Sequence, residues 1–290
     1  MKKQIYFIIS LLIVLIACTE DFPVDLDSTF SRLVVQGSIN NERKAHQVYI
    51  TKSGDYFDNT PAPKVTGATV TISDGSSVFN LNEVSPGIYE TDTMAGEINK
   101  TYTLSINTNG KEYTASSYLN YCAPMDSINF GYYDYGDSYE MKDTFIYVLL
   151  NALEPETPDN YYLWNVYKND TLETDTLFEK VVYDDQFVNG KYMYDLAVQW
   201  VEAGYKDTIT LEMFSITKEY SDYYSQVMDV TVWNMGPLGG PPANPVGNIS
   251  EVIDNNNDND NPVGFFLAYS VQRITDIIPP TDERIELEWY

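Results

Sequence analysis

The chain has 290 residues, and its 43 acidic side chains outnumber its 17 lysines and arginines, giving a formal net charge of −26. A surface this acidic repels phosphate, which excludes nucleic acid and anionic lipid headgroups as partners of the folded part. The length is sufficient for two domains of ordinary size. The only histidine is His46, which excludes metal motifs that need two histidines.

The first 17 residues have the features of a lipoprotein signal peptide. Lys2 and Lys3 give a positive start, residues 5–16 are almost wholly apolar, and small Ala17 directly precedes Cys18. A transmembrane helix would need ~20 apolar residues, and this run ends before that length. We therefore predict cleavage before Cys18 and lipidation of its thiol. The alternative is a soluble secreted protein with an incidental cysteine.

Residues 18–30 are polar and acidic, which indicates a flexible tether. Glu20 and Asp21 follow Cys18 directly and resemble the signal by which Bacteroidetes-type cells send lipoproteins to the outer face of the outer membrane. The predicted location is the outer membrane, held by lipid, at the cell surface. The periplasmic face is the alternative.

Residues 31–120 show the period-two alternation of half-buried strands. In the clearest run, Tyr102, Leu104 and Ile106 alternate with polar residues. Asn109 and Gly110 follow, a pair that suits the type I′ hairpin turn because both of its central residues need positive φ. About seven short strands with regular turns predict an antiparallel, Ig-like β-sandwich.

Residues 121–128, which include Pro124, are predicted to link this sandwich to a second, mainly β domain at residues 129–290. One helix is expected near residues 218–229, with Thr217 as its N-cap. Its buried stripe is expected to contain Tyr220, Tyr223, Tyr224, Val227 and Met228. The strands expected in this domain are residues 145–153, 159–168, 207–216, 263–271 and 285–289. The fold class is therefore mainly β, with one helix in the second domain.

Two separated groups of blocks, in the right order, resemble a Bacteroidetes outer-membrane lipoprotein family known as domain of unknown function 4249. The first group is residues 33–37, 65–74, 86–89, 102–106 and 126–128. The second group is residues 220–224, 241–249 and 263–266. The resemblance implies a lipoprotein whose N-terminal sandwich is similar to carboxypeptidase regulatory-like domains. It also implies a TonB-dependent outer-membrane transporter as a partner, but no catalytic or binding residues.

The sequence offers little catalytic chemistry. His46 lies in a strand pattern and is predicted to face solvent. No G-x-S-x-G elbow, Walker loop or dinucleotide fingerprint occurs in the chain. The acidic residues are too numerous for any pair to be singled out as a glycosidase acid and nucleophile. We therefore expect a protein that is not an enzyme and needs no cofactor.

A polar run near the C-terminus is the one candidate metal site. Its oxygen-bearing side chains alternate with the spacing of a calcium loop, at Asp254, Asn256, Asp258 and Asp260. The run lacks the glycine and the bidentate glutamate of such loops, because Asn259 and Phe265 stand at those positions. A solvated hairpin tip is therefore favoured over a calcium site.

Tyrosine is abundant, and aromatic platforms can stack on sugars or line peptide grooves. The candidates are Tyr132, Tyr133, Tyr135, Tyr161, Tyr162, Tyr192 and Tyr194. Tyrosine is also a good strand residue, so packing within the sheets is the favoured interpretation. Cys122 is expected to be either buried and inert or, as the alternative, a reactive thiol.

The expected function is that of a lipid-anchored binding or accessory protein that works with a TonB-dependent transporter. A structural or adhesive surface lipoprotein without a small ligand is the alternative, and a hydrolase is the third. The second domain is expected to carry the contact with the partner. The sequence leaves the ligand unidentified.

Overall fold

The computed structural model describes residues 31–54, 60–133, 144–231, 244–253 and 261–288. Within these residues the protein is mainly β with a single α-helix, which confirms the predicted fold class. The signal peptide and the tether, residues 1–17 and 18–30, lie outside them.

The first part of the chain forms the predicted series of short strands. They are β1 (Leu33–Asn40), β2 (Gln47–Lys52), β3 (Thr69–Ser73), β4 (Val78–Ser85), β5 (Ile88–Glu90), β6 (Thr101–Thr108) and β7 (Lys111–Tyr118). The alternation in β6 buries Tyr102, Leu104 and Ile106, each 1% exposed. Asn109 and Gly110 join β6 to β7 with φ values of 51° and 76°, as a type I′ turn requires.

The second part is also rich in strands. They are β8 (Met125–Tyr133), β9 (Phe145–Leu153), β10 (Tyr161–Lys168), β11 (Thr171–Leu172), β12 (Val182–Asp184), β13 (Tyr192–Glu202), β14 (Thr208–Ile216), β15 (Ser250–Glu251), β16 (Val263–Ile277) and β17 (Ile285–Leu287). Helix α1 (Lys218–Thr231) lies between β14 and β15, and a 3-10 helix (Thr281–Glu283) precedes β17. Among the strands not anticipated from the sequence is β13, which two register shifts against β9 interrupt.

One large sheet runs through both parts of the chain. Its hydrogen-bonded order is β11-β10-β14-β16-β1-β2-β5-β4-β3-β6-β7-β15, with β12 also paired to β10. Strand β16 is antiparallel to β14 but parallel to β1. The predicted antiparallel sandwich is confirmed for β1 to β7, which pair only antiparallel with one another. The parallel pair joins β1 to β16, which comes from the other end of the chain, whereas only a hairpin would have forced the antiparallel direction.

Two sandwich cores lie along this sheet. The first collects apolar residues from β1 to β7 and adds Phe266 and Ala268 of β16, both fully buried. The second lies between the β10–β14 part of the large sheet and a four-stranded sheet of order β13-β9-β8-β17. It contains Trp164, Leu211 and Ile146, each at most 1% exposed. Since β16 contributes to the first core and Ile274 of the same strand packs against the second, one strand serves both.

Helix α1 begins at Lys218 as predicted and ends at Thr231, two residues beyond the expected end. The Thr217 hydroxyl accepts a hydrogen bond from the backbone N–H of Tyr220 at 3.3 Å, which satisfies one of the unpaired donors of the first turn. Tyr224 is 6% exposed, and Tyr220 and Tyr223 pack against Phe265 of β16. The tyrosine stripe therefore attaches the helix to the large sheet, as its spacing indicated.

The segment at residues 121–128 was expected to be a linker, but β8 begins within it at Met125. Two later strands return to the first part of the chain, because β15 pairs with β7 and β16 pairs with β1. The hydrogen-bonded sheet is therefore continuous between residues 31–120 and the region after residue 129.

A substitution of Phe266 tests whether the two parts of the chain unfold together. Phe266 belongs to the first core, whereas all four tryptophans of the chain lie in the second part. Phe266→Ala should lower the free energy of unfolding by about 3–5 kcal/mol, as expected for a buried phenylalanine. In urea titrations of the variant, the unfolding midpoints measured by tryptophan fluorescence and by circular dichroism should both move to the same lower urea concentration. Ile253→Ala, at a position 73% exposed, should change stability by less than about 0.5 kcal/mol. A fluorescence transition that stays in place while circular dichroism shifts would show two independent units.

Candidate ligand-binding groove

A groove of about 850 Å³ crosses the face of the large sheet on which α1 lies. Five neighbouring strands contribute to its floor, in the order β10, β14, β16, β1 and β2. Because neighbouring strands are spaced about 4.8 Å apart, the floor extends roughly 19 Å across the sheet. Both the volume and the breadth are those of a site for a small or extended ligand.

One wall of the groove is the tyrosine face of α1. The ring centroids of Tyr220 and Tyr223 lie 5.1 and 5.2 Å from that of Phe265. The Tyr224 hydroxyl donates a hydrogen bond to the Leu177 carbonyl at 2.5 Å, which ties the helix to the segment before β12. Burial raises the pKa of Tyr220 to about 12, so its hydroxyl remains neutral. The wall is therefore aromatic and uncharged.

The segment before β12 also brings a lysine to the groove. Lys180 is half-buried, and its Nζ donates a hydrogen bond to Asn165 Oδ1 at 2.8 Å. Asn165 Nδ2 in turn donates to Glu212 Oε2 at 2.9 Å. Asn165 and Lys180 line the groove, whereas Glu212 does not and is only 3% exposed. At this position the lining therefore presents an amide and an ammonium group.

An ion-pair network holds this polar region in place. Arg273 of β16 pairs with Glu212 and with Glu42, and Glu42 also pairs with Lys44 at 2.8 Å. The hydrogen bond from Arg273 is the largest cause that lowers the pKa of Glu42 to about 2. Glu42 and Glu212 are therefore both compensated by Arg273. The network connects the loop after β1 with β14 and β16.

The charges that line the groove differ from those of the protein as a whole. Among the described residues that form it, none is Asp or Glu, although the chain contains 43 acidic residues. Its ionisable side chains other than tyrosine are those of Lys44, Lys180 and His46. As far as the described residues show it, the groove is thus an aromatic region without carboxylates on an acidic molecule.

Several sites expected from the sequence lie outside the described residues. They are Cys18, Glu20, Asp21, Tyr135 and the polar run that contains Asp254, Asn256, Asp258 and Asp260. In the part of the chain that the structure describes, no three His, Cys, Asp or Glu side chains are grouped as metal ligands. No helix of the described segments is both long and apolar enough to span a membrane.

The prediction that His46 faces solvent is wrong, because the residue is 3% exposed. It precedes β2, where its backbone N–H donates to Thr91 Oγ1 at 3.0 Å and its Nε2 lies 3.1 Å from the Met94 carbonyl oxygen. Burial lowers the pKa of His46 from its ordinary value. Alternation within β2 could not show this, since the residues that cover His46 come from after β5.

Cys122 is buried, 1% exposed, and its thiol contacts the Met213 carbonyl oxygen at 3.6 Å. Burial raises the pKa of this thiol to about 12, which keeps it protonated and unreactive at neutral pH. Of the two alternatives that the sequence left open, the structure supports the buried, inert cysteine.

The tyrosine candidates separate into two kinds. Tyr162 is buried in the second core, and Tyr161 packs with the cluster beneath α1. Tyr192 and Tyr194 are exposed on β13, with ring centroids 4.4 Å apart, and Tyr194 is 78% exposed. Packing therefore accounts for the first pair, while the second is available for contact. Tyr132 and Tyr133 lie on β8 and are both half-buried.

Sequence reasoning did not find the floor residues of the groove or Lys180. Gln36, Tyr49 and Phe214 are the polar or aromatic members of alternating strands, which only the sheet order places side by side. Lys180 is one of 17 basic residues and has no motif around it. The pattern of β1 showed that Gln36 faces away from the first core, but it did not show which strands are its neighbours.

A buried carboxyl group lies elsewhere, beside the second core. Glu154 is 1% exposed and accepts a hydrogen bond from the Tyr162 hydroxyl at 2.8 Å. Burial raises the pKa of Glu154 to about 7, and the negative charge of buried Asp185 adds to the effect. The folded protein therefore holds this proton at a pH where an unfolded glutamate, with a pKa near 4.5, has lost it.

The sign of the resulting pH dependence follows from linkage. Between pH 4.5 and about 7 the folded state binds a proton that the unfolded state does not, so the free energy of unfolding falls as pH rises. The loss should be on the order of 3 kcal/mol. Glu154→Gln should remove this dependence in urea titrations at pH 5 and pH 8. Glu156→Gln, at an exposed position two residues away, should keep it. Equal pH dependence in both variants would contradict the assignment.

The fold and the groove define a mainly β protein in which two sandwiches share one sheet and a single helix lies against that sheet. The chain matches the family described as Domain of unknown function (DUF4249) over residues 19–275, nearly its whole length. It belongs to that family, which confirms the resemblance to domain of unknown function 4249. No curated protein matches the chain.

Proposed function

We propose that this protein is a lipid-anchored binding protein of the outer membrane, displayed at the cell surface. It holds a ligand in the groove beneath α1 and works with a TonB-dependent transporter. The observation that carries the proposal is the groove itself, about 850 Å³ in volume and walled by the rings of α1 and β16. Recognition sites for small molecules combine such apolar walls with a few polar groups that fix orientation.

The location is supported by the order of residues at the N-terminus. A positive start, an apolar segment and Ala17 before Cys18 favour lipidation, and Glu20 and Asp21 favour export to the outer face. A chain with a net charge of −26 is repelled by anionic headgroups, so the lipid is the attachment to the membrane. The periplasmic face is the alternative location.

The polar chemistry of the groove supports binding rather than catalysis. Gln36, Gln47 and Asn165 offer amide groups, and Lys180 offers an ammonium group. The one histidine at the groove is buried, with its Nε2 beside the Met94 carbonyl oxygen. These groups suit hydrogen bonding and charge recognition. A hydrolase therefore ranks below a binding protein.

An adhesive surface lipoprotein is the second candidate, and a separate observation favours it. Strand β13 exposes Tyr194 (78%), Trp200 (50%) and Tyr192 (37%) on the four-stranded sheet. Exposed tyrosine and tryptophan are the residue types that most often dominate protein interfaces. On that alternative, this face would contact another surface, and the groove would have no small ligand.

Removing the lipidated cysteine tests the anchor. Cys18→Ala should move the protein from the membrane fraction to the soluble fraction, because Cys122 is buried in the core and cannot replace the thiol. Fractionation with and without detergent measures the change. Cys122→Ala is the matched control and should remain with the membranes. A Cys18→Ala protein that stays in the membrane fraction would rule out the lipid anchor.

Recovery of partners from solubilised outer membranes tests the proposed function. The full-length lipidated protein, carrying an affinity tag, should co-purify with a TonB-dependent transporter, and the Cys18→Ala form should recover less of it because it is not held at the membrane. Recovery of no transporter, together with adhesion that is lost when Tyr194 and Trp200 are both replaced by Ser, would favour the adhesive alternative.

A further inference from the structure

Lys180 is unusual among the lysines of this acidic chain. Its side chain is half-buried in the groove lining, and in the described residues its Nζ has a single hydrogen-bond partner, the neutral Asn165 amide. No carboxylate among those residues lies within 4.0 Å of it, although Glu212 and Asp175 act on it at longer range. Burial lowers the pKa of the Lys180 ammonium group. An ammonium group has three donors, so two are available to a ligand.

The surroundings of Lys180 favour an anion over a cation. No Asp or Glu lines the described groove, and buried Glu212, which acts on Lys180 from beyond Asn165, is paired with Arg273. Asp175, the other carboxylate that acts on Lys180, is exposed, and salt screens exposed charges more than buried ones. A negative group on the ligand would therefore meet an ammonium group that no carboxylate of the described residues contacts directly.

The apolar residues of the lining indicate that the rest of the ligand is apolar. Phe265 and Leu267 form the floor beside α1, and Tyr223 and Val227 form the wall. Phe265 and Leu267 belong to the apolar cluster that packs beneath the helix. Burying an apolar chain here contributes about 0.8 kcal/mol for each methylene group. A neutral sugar would bury fewer apolar groups and would leave the ammonium group without a counter-charge.

We propose that the groove binds an apolar monocarboxylate, whose carboxylate group accepts hydrogen bonds from Lys180 Nζ and whose apolar body lies along Tyr223, Phe265 and Leu267. This inference rests on the proposed function, because it takes the groove as the ligand site. It adds the chemical class of the ligand and the residue that selects it. Asn165 holds the ammonium group in position through the bond to its Oδ1.

Calorimetric titration with decanoate and with 1-decanol tests whether the groove recognises the negative charge of the ligand. The two probes share their apolar chain and differ in the group that meets Lys180. Since hydrogen bonds to charged groups are worth more than neutral ones, the full-length mature protein should bind decanoate roughly tenfold or more tightly than 1-decanol. Equal affinity for the two probes, or binding of neither, would overturn the proposal.

Removing the ammonium group should remove the preference. Lys180→Gln should bring the affinity for decanoate down to that for 1-decanol and leave the affinity for 1-decanol unchanged. Lys64→Gln is the matched control, because it makes the same change in net charge at an exposed position outside the groove. A Lys180→Gln protein that still prefers decanoate, or a Lys64→Gln protein that loses the preference, would contradict the role of Lys180.

A second pair of variants tests whether the probes bind in the groove. Gln36 is an exposed residue of β1 on the groove floor, so Gln36→Trp should obstruct the groove and weaken both probes at least tenfold. Asn80→Trp places the same side chain on an exposed position of β4 outside the groove and should bind like the unmodified protein. Melting temperatures confirm that both variants fold. Unchanged binding by Gln36→Trp would place the probes elsewhere and overturn the inference. Recovery of the transporter would be unaffected by that result, so the two proposals can fail separately.

Discussion

The parallel ladder between β1 and β16 pairs Val34 with Val263 and continues to the pair of Asn40 and Tyr269. It requires two backbones to approach closely, since a Cβ atom on Gly264 would lie 1.9 Å from the Val35 carbonyl oxygen. Gly264 also has a φ of 108°, which side chains disfavour. The C-terminal part of the chain can therefore enter the sheet only because this position has no side chain.

The same insertion builds the groove. Strand β16 places Phe266 and Ala268 in the first core, and its opposite face carries Phe265, Leu267 and Tyr269 toward α1. With β1 and β2 on one side and β14 and β10 on the other, the floor combines both parts of the chain. The second part of the chain therefore does not form the groove alone, because Gln36 belongs to β1.

The ion pairs of Arg273 also join the two parts of the chain. Arg273, on the long strand β16, compensates Glu212 of β14 and Glu42 of the loop after β1, so it connects both parts of the chain by ion pairs as well as by backbone hydrogen bonds. Of the three side chains only that of Glu212 is buried, so loss of Arg273 would leave the Glu212 charge buried without its partner. Arg273 thus compensates two carboxylates close to a groove that lies within an acidic protein.

The sequence by itself determined the features that depend on neighbouring residues. Alternation fixed the buried faces of β1 to β7, Asn109 and Gly110 fixed a turn by their φ preferences, and the tyrosine spacing fixed the sheet-facing side of α1. Tertiary structure decided the parallel pairing of β16 with β1, the burial of His46 and the position of Lys180 in the groove. These features join segments far apart in the chain, and a local pattern shows which face of a strand is apolar but not which distant strand will lie beside it.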